Sequence, residues 1–324
     1  MKPPQNEETL LHRIAAEFRD ARSSSLHLGM GDDAALFAPS KGCETILSCD
    51  WFLEGSHFLR DKHPADSVGW KCLARATSDI AAMGGTPRCF LLSLAVPSSE
   101  TGHWLGGFLR GLHRASKAFH CELAGGDTTR RNDILINVTV IGEIRRGRAI
   151  MRSGARPGDL LYVSGTLGEA ELGLRELRRA KGRSRAGNAV LRKHLYPQPR
   201  LDLGGWLSEN GLATAMMDIS DGLSTDLKRI CTASGVGARI ESSLLPASSA
   251  AKRQDALKLA LNGGDDYELL FSVSAKKAEK LPKSFRGTHL TCIGKVLKDA
   301  KLLLVDEKGK ERPLVAKGWD PFRG

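Results

Sequence analysis

The chain has 324 residues, more than one small core needs and enough for two domains of ordinary size. Its apolar and charged shares, 41% and 26%, are those of a soluble globular protein, and no run of about 18 apolar residues offers a membrane span. The net charge of +11 admits nucleic acid or phosphorylated small molecules as partners, while the 7 cysteines, odd in number and without a C-x-x-C pair, argue against a disulfide framework or a zinc site.

The opening stretch MKPPQNEETLLHRIAAEF carries acids and lacks the apolar core of a signal peptide, so a cytoplasmic chain with reduced thiols is expected. TILSCD (45–50) reads as a short buried strand ending in an acid. From Pro64 to Met83 the pattern predicts a helix stopped by Gly84-Gly85. CFLLSLAVP (89–97) predicts a strand. Trp104, Leu105, Phe108, Leu109, Leu112, Ala115 and Phe119 then mark one face of a helix. ILINVTVIGEI (134–144) is a further strand, followed by the basic stretch 145–156.

RPGDLLYVSGTLG (156–168) opens with a turn and a new strand, which places a domain boundary at 145–155. We therefore expect domains 1–150 and 151–324. GEAELGLRELRRA and RLDLGGWLSENG predict helices. GLSTDLKRICTASG has an apolar stripe at Leu223, Leu227, Ile230 and Cys231, with Gly235 past its end. YELLFSV and LTCIGKVL are late strands. Strands and helices mix in both halves without strict alternation, so the expected fold class is α+β, a mixed α/β architecture in two domains. The basic stretch 175–194 reads mainly as a solvated helix face and a Gly/Ser-containing break, since no aromatic interleaving marks a nucleic-acid surface.

Aspartates recur at the ends of apolar segments beside small residues: Asp32 and Asp33, Asp50, Asp79, Asp127, Asp218 and Asp221, Asp265 and Asp266. Turn and cap chemistry accounts for any one of them, and Asp221 is placed to cap the helix that starts at Gly222. GGDTTR (125–130) and GGDDYE (263–268) suggest that each half ends an element by presenting an acid on flexible backbone. Taken together, oxygen donors without lysine neighbours suit Mg²⁺, which binds a few carboxylates and completes its shell with water and substrate phosphate. Basic residues near 130 and 145–156 are available to face the phosphates from the other side, as phosphoryl transfer requires. The chain has no G-x-x-x-x-G-K-[ST] loop and no protein-kinase signature set. GMGDDA fits G-x-G-x-x-A formally, but its two acids would repel a pyrophosphate.

Nine motifs in order, GMGDDAAL, SCDWFLEGSHF, ATSDIAAMGG, GGDTTR, RSGARPGD, MDISDGLSTDL, GGDDYELLF, TCIGKV and KGWDPF, run along almost the whole chain. With them the sequence resembles the thiamine-monophosphate kinase family, in the superfamily of aminoimidazole-ribonucleotide synthetase and selenophosphate synthetase. The resemblance implies an N-terminal α/β domain that dimerises through its sheet, and a C-terminal α+β domain. It also implies direct transfer from ATP to thiamine monophosphate with several Mg²⁺ ions and no protein nucleophile, within a homodimer that binds neither nucleic acid nor membrane.

Carried over residue by residue, the resemblance implies metal ligation by Asp33, Ser48, Cys49, Asp50, Asp79, Asp127, Asp218 and Asp221. It implies ATP contacts at Gly126, Asp127, Arg152 and Ser220, and contacts to thiamine monophosphate at His57, Asp265 and Trp319. The sequence departs from the family at Cys49, where threonine is usual, at Ala76, where asparagine is common, at Trp51, and by one extra residue near Gly69. These departures bear on the geometry around Asp50 and Asp79. Two other readings stand beside this one: another ATP-using enzyme of the superfamily, and a basic non-catalytic nucleic-acid-binding protein.

Overall fold

A computed structural model describes residues 6–18, 25–180 and 188–322. Among these, one compact unit takes residues up to 80, 85–147 and 177–180, and a second takes 81–84, 148–176 and 188–322. The break of the basic stretch 175–194 falls outside the described residues at 181–187.

The first unit contains α1 (Glu7–Glu17), β1 (Leu26–Leu28), β2 (Leu36–Phe37), β3 (Cys43–Leu53), α2 (Ala65–Ala82, its last two residues counted with the second unit), β4 (Thr86–Ala95), α3 (His103–Phe119), β5 (Glu122–Thr129) and β6 (Leu135–Arg145). Its main sheet has the order β3-β6-β4-β5. The β4–α3–β5 passage is a parallel crossover, and the remaining pairs are antiparallel. All seven residues of the predicted apolar face of α3 are buried. α2 runs unbroken through Gly69, where a side chain would collide with the backbone of Phe108, so the glycine lets α2 and α3 approach closely.

β3 differs from the short buried strand expected at 45–50. It runs for 11 residues and alternates, with Ile46 and Phe52 buried on one face and Leu47, Cys49 and Trp51 exposed on the other. Leu91 of β4 is also exposed, so the open face of the sheet carries an apolar surface.

The second unit contains β7 (Leu160–Ser164), α4 (Glu169–Arg179, its last three residues counted with the first unit), α5 (Ala189–Leu195), α6 (Leu201–Glu209), β8 (Ala213–Ile219), α7 (Leu223–Ser234), β9 (Gly237–Glu241), α8 (Arg253–Asn262), β10 (Glu268–Val273), α9 (Ala275–Ala278), β11 (Ser284–Phe285), β12 (Thr288–Leu297), β13 (Leu302–Val305) and β14 (Glu311–Pro313). Its sheet runs β14-β13-β9-β12-β7-β10-β8, with β11 paired to β12, and only β13–β9 is parallel. Both faces are covered. Ala215, Met217 and Ile219 of β8 join the core under Leu223, Leu227 and Ile230 of α7. Met216 and, from β10, Leu269 and Phe271 join a second core with Leu203 and Leu207 of α6. Two buried faces explain why β8 and β10 read as continuous apolar runs. The resulting fold is mixed α+β in two parts, and no helix among the described residues is long and apolar enough to cross a membrane.

Candidate active site

In the first unit, strand alternation decides which side chains of SCD can act together. Ser48 and Asp50 point toward α2, where the Ser48 hydroxyl donates to Asp79 Oδ2 and Arg75 lies 3.8 Å from Asp50 Oδ1. Arg75 and Asp79 are one helical turn apart, hence on one face of α2, and the Arg75 guanidinium also covers the Phe52 ring at 5.4 Å. The structure thus brings Ser48, Asp50 and Asp79 together, with a cation beside Asp50 that the sequence reading missed. The 75/79 spacing on one helix was the available signal.

Cys49 points the other way. Its sulfur accepts from Asn137 Nδ2 at 3.1 Å on the open sheet face, so the thiol does not share the place of Ser48, Asp50 and Asp79. At position 49, only backbone is available on that side. Ala76 is fully buried in α2.

A cavity of about 1050 Å³ lies in the same unit between α1, the GMGDDA segment and the sheet. Asp33, Gly126 and Asp127 all line it, against apolar Leu26, Leu91 and Ile141. Gly125-Gly126-Asp127 does not end an element as expected; it is part of β5. Gly126, at φ 154°, is required because a Cβ there would strike the backbone of Leu92 on β4. His57 is half-buried, and its Nδ1 accepts from the Leu53 amide at 3.1 Å, which leaves the proton of a neutral ring on Nε2.

In the second unit, the carboxyl end of β8 carries DISDG. Asp218 is 3% exposed. The Ser220 carbonyl accepts from the Asp265 amide at 2.8 Å, and the Ile219 carbonyl from the Tyr267 amide at 2.9 Å, so GGDDYE is laced onto DISDG. Gly264 and Gly222 sit where a Cβ would crowd the Ser220 carbonyl and the Asn262 backbone. Asp265 and Tyr267 adopt left-handed φ values of 67° and 50°. The Tyr267 hydroxyl donates to Asp265 Oδ1 at 2.7 Å, and buried His194 lies 3.9 Å from Oδ2. The Trp319 amide donates to the Asp221 carbonyl at 2.8 Å, with its side chain partly exposed. Ser220, Asp221, Asp265 and Trp319, from three separate motifs, therefore meet. Arg152 stands apart within this unit, its carbonyl held by Ser234 at the far end of α7.

Asp221 does not cap α7. Its neighbour Asp226, fully buried, accepts from the Asp221 and Gly222 amides at 3.1 Å each. Burial, reinforced by the Asp221 charge, pushes the Asp226 carboxyl up to about 6, against the pull of Arg229. Arg229 contacts both acids, Asp221 at 2.6 Å and Asp226 at 2.6 Å. The lack of lysine neighbours in sequence therefore hid an arginine partner two turns into the helix. Two further buried acids secure the loop that follows α8. Asp266 accepts from the Gly168 amide at 2.6 Å and is pushed up to about 8 by burial. Burial also acts to raise Glu268, but the hydrogen bond and charge of Arg200, with Lys193 and Ser164, hold it below its ordinary range.

The chemistry of the donors fits magnesium. They are hard oxygens and the one thiol is turned away, although among the described residues no three His, Cys, Asp or Glu side chains stand grouped to hold a metal ion by themselves. Open pairs of carboxylates that leave positions for water and phosphate are the usual protein contribution to a Mg²⁺-nucleotide site.

Fold and acid clusters together define a protein of the class described as AIR synthase related: the model of its N-terminal domain matches residues 31–144 and that of its C-terminal domain residues 156–307. The thiamine-monophosphate kinase of Escherichia coli K12 is 39% identical over 319 residues, covering 95% of this chain and 97% of the relative. The crystal structure of thiamine-monophosphate kinase from Stenotrophomonas maltophilia K279a superposes with a TM-score of 0.80 at 34% identity, covering 91% of this chain and 95% of the other. A third similar structure, AaThiL complexed with AMPPCP and TMP, has a TM-score of 0.76 at 32% identity and covers 98% of this chain and 97% of the other. The chain belongs to the thiamine-monophosphate kinase family.

Proposed function

We propose that this chain transfers the γ-phosphoryl group of ATP to thiamine monophosphate, giving ADP and thiamine diphosphate. A phosphate oxygen of thiamine monophosphate attacks the γ-phosphorus in line. The new O–P bond forms as the bond to the β–γ bridging oxygen breaks, and ADP carries away the electron pair. No covalent enzyme intermediate is needed, so the residues hold, orient and neutralise.

Magnesium, when bound, supplies charge neutralisation at the triphosphate. Asp33, Asp50, Asp79, Asp127, Asp218 and Asp221 would hold it, with the Ser48 hydroxyl and the backbone at Cys49. Gly126 and Asp127 in the cavity, Ser220, and Arg152 would bind ATP. His57, Asp265 and Trp319 would bind thiamine monophosphate. Trp319 offers an aromatic face to the substrate's cationic ring, and Asp265 a negative charge. The apolar residues Leu47 and Trp51 on the open face suit a homodimer formed sheet to sheet.

The observation that carries this reading is the junction of DISDG, GGDDYE and KGW, where metal-type acids and a half-exposed tryptophan adjoin. Incubating the purified protein with ATP, Mg²⁺ and thiamine monophosphate should yield thiamine diphosphate, and Asp218→Asn should not. No product from the unmodified protein would favour another ATP-using reaction of the superfamily.

A further inference from the structure

Three consecutive amides near the C-terminal end of the described chain are each bound by the start of α7. Lys317 N–H donates to Ser224 Oγ at 3.2 Å, Gly318 N–H to Thr225 Oγ1 at 3.0 Å, and Trp319 N–H to the Asp221 carbonyl at 2.8 Å. Between them, Gly318 lies so close that any side chain would collide with that same carbonyl and with the Thr225 hydroxyl. Ser224 is fully buried and also donates to Asn262 Oδ1 at 2.8 Å, which ties this anchor to the end of α8. The segment is therefore clamped one residue at a time, and the clamp ends at Trp319, which is 48% exposed.

We infer that Ser224 and Thr225 are positioning residues for thiamine monophosphate: their hydroxyls dock the KGW segment so that Trp319 and the Asp221 loop behave as one body. The inference rests on the reading of Trp319 as a substrate contact. A segment with no helix or strand of its own loses conformational freedom when it is ordered. Ordering it before the substrate arrives removes that cost from binding. The hydroxyls accept from backbone, so the docking does not depend on the identity of the side chains at 317 and 319. It does depend on the absence of one at 318.

The test uses the full chain. Thr225→Val keeps the shape and removes the acceptor, Thr225→Ser keeps the acceptor, and Gly318→Ala attacks the same contact from the other side. Trp319→Ala is the reference for the substrate contact itself. Thr225→Val should raise KM for thiamine monophosphate about threefold to tenfold, the ratio that one ordinary hydrogen bond represents. KM for ATP should stay within about twofold. In the ligand-free protein, hydrogen exchange at the Gly318 and Trp319 amides should be faster in Thr225→Val, and Thr225→Ser should restore both readouts. Gly318→Ala should raise the same KM at least as much.

Unchanged KM and exchange in Thr225→Val, beside a raised KM in Trp319→Ala, would overturn the docking role alone. A Thr225→Val effect spread equally over both substrates would do the same, because it would mark a general structural defect. Trp319→Ala with unchanged KM would overturn the substrate role of Trp319, and the positioning assignment with it.

Discussion

Replacing Arg200 by methionine should expose how much the second unit depends on one buried carboxylate. Glu268, 1% exposed at the start of β10, accepts from Arg200 Nε at 2.6 Å, Ser164 Oγ at 2.6 Å and Lys193 Nζ at 3.2 Å. Removing one partner of a buried pair costs about 3–5 kcal/mol, because the remaining charge is left without compensation. Lys193 stays, so the expected loss is at the low end, about 3 kcal/mol. For a cooperative unit of this size that lowers Tm by roughly 6–12 °C.

The pH dependence gives the sharper test. In the unmodified protein the Glu268 carboxyl lies below its ordinary 4.5, so its contribution is complete above that pH and is lost as pH falls through the folded value. Without Arg200, burial dominates and the folded value rises above the unfolded one. The variant then loses stability as pH rises. The gap between the two proteins, read from urea midpoints, should therefore be wider at pH 7.5 than at pH 5. A gap under about 1 kcal/mol, or one that widens toward acid, would refute the assignment of Glu268 as a buried charge sustained by Arg200.

Tyr267→Phe removes the 2.7 Å hydrogen bond to Asp265, and KM for thiamine monophosphate should rise about fivefold with KM for ATP little changed, as initial rates will report. Asp266, raised by burial from 3.8 to about 8, takes up a proton on folding, so it subtracts stability as pH climbs through that window; Asp266→Asn should gain relative to the unmodified protein between pH 5 and pH 8 in thermal melts. Leu47→Asp places a charge on the open sheet face, and sedimentation should show a shift from dimer to monomer if that face is the self-association surface.

Much of the frame was readable in the sequence because it repeats with a single period. The α3 stripe from Trp104 to Phe119 and the helix from Pro64 both follow helical spacing, and Gly235 closes α7 in the left-handed conformation its position suggested. The strand at Gly125-Gly126-Asp127 was not readable, because paired glycines signal a turn; here Gly126 is present so that β5 can lie against the Leu92 backbone. Asp221 looked like the helix cap because it stands next to Gly222, but its side chain caps nothing, and a carboxylate five residues on, Asp226, reaches back to the amides of Asp221 and Gly222. The recurring acids were legible as a set but not as groupings. Strand alternation separates Cys49 from Asp50 although they are adjacent in sequence, and Arg200 finds Glu268 across 68 residues with no local signal to announce it.

The central proposal is that aspartates of this chain, Asp79 and Asp218 among them, hold magnesium and, through it, the triphosphate. Mn²⁺ in place of Mg²⁺ allows this to be measured without turnover, by titrating the ATP-saturated protein and following the free ion by electron paramagnetic resonance. The account predicts tight Mn²⁺ uptake by the unmodified protein and a clear loss of bound ion in both Asp79→Asn and Asp218→Asn. Equal uptake by all three proteins would contradict it.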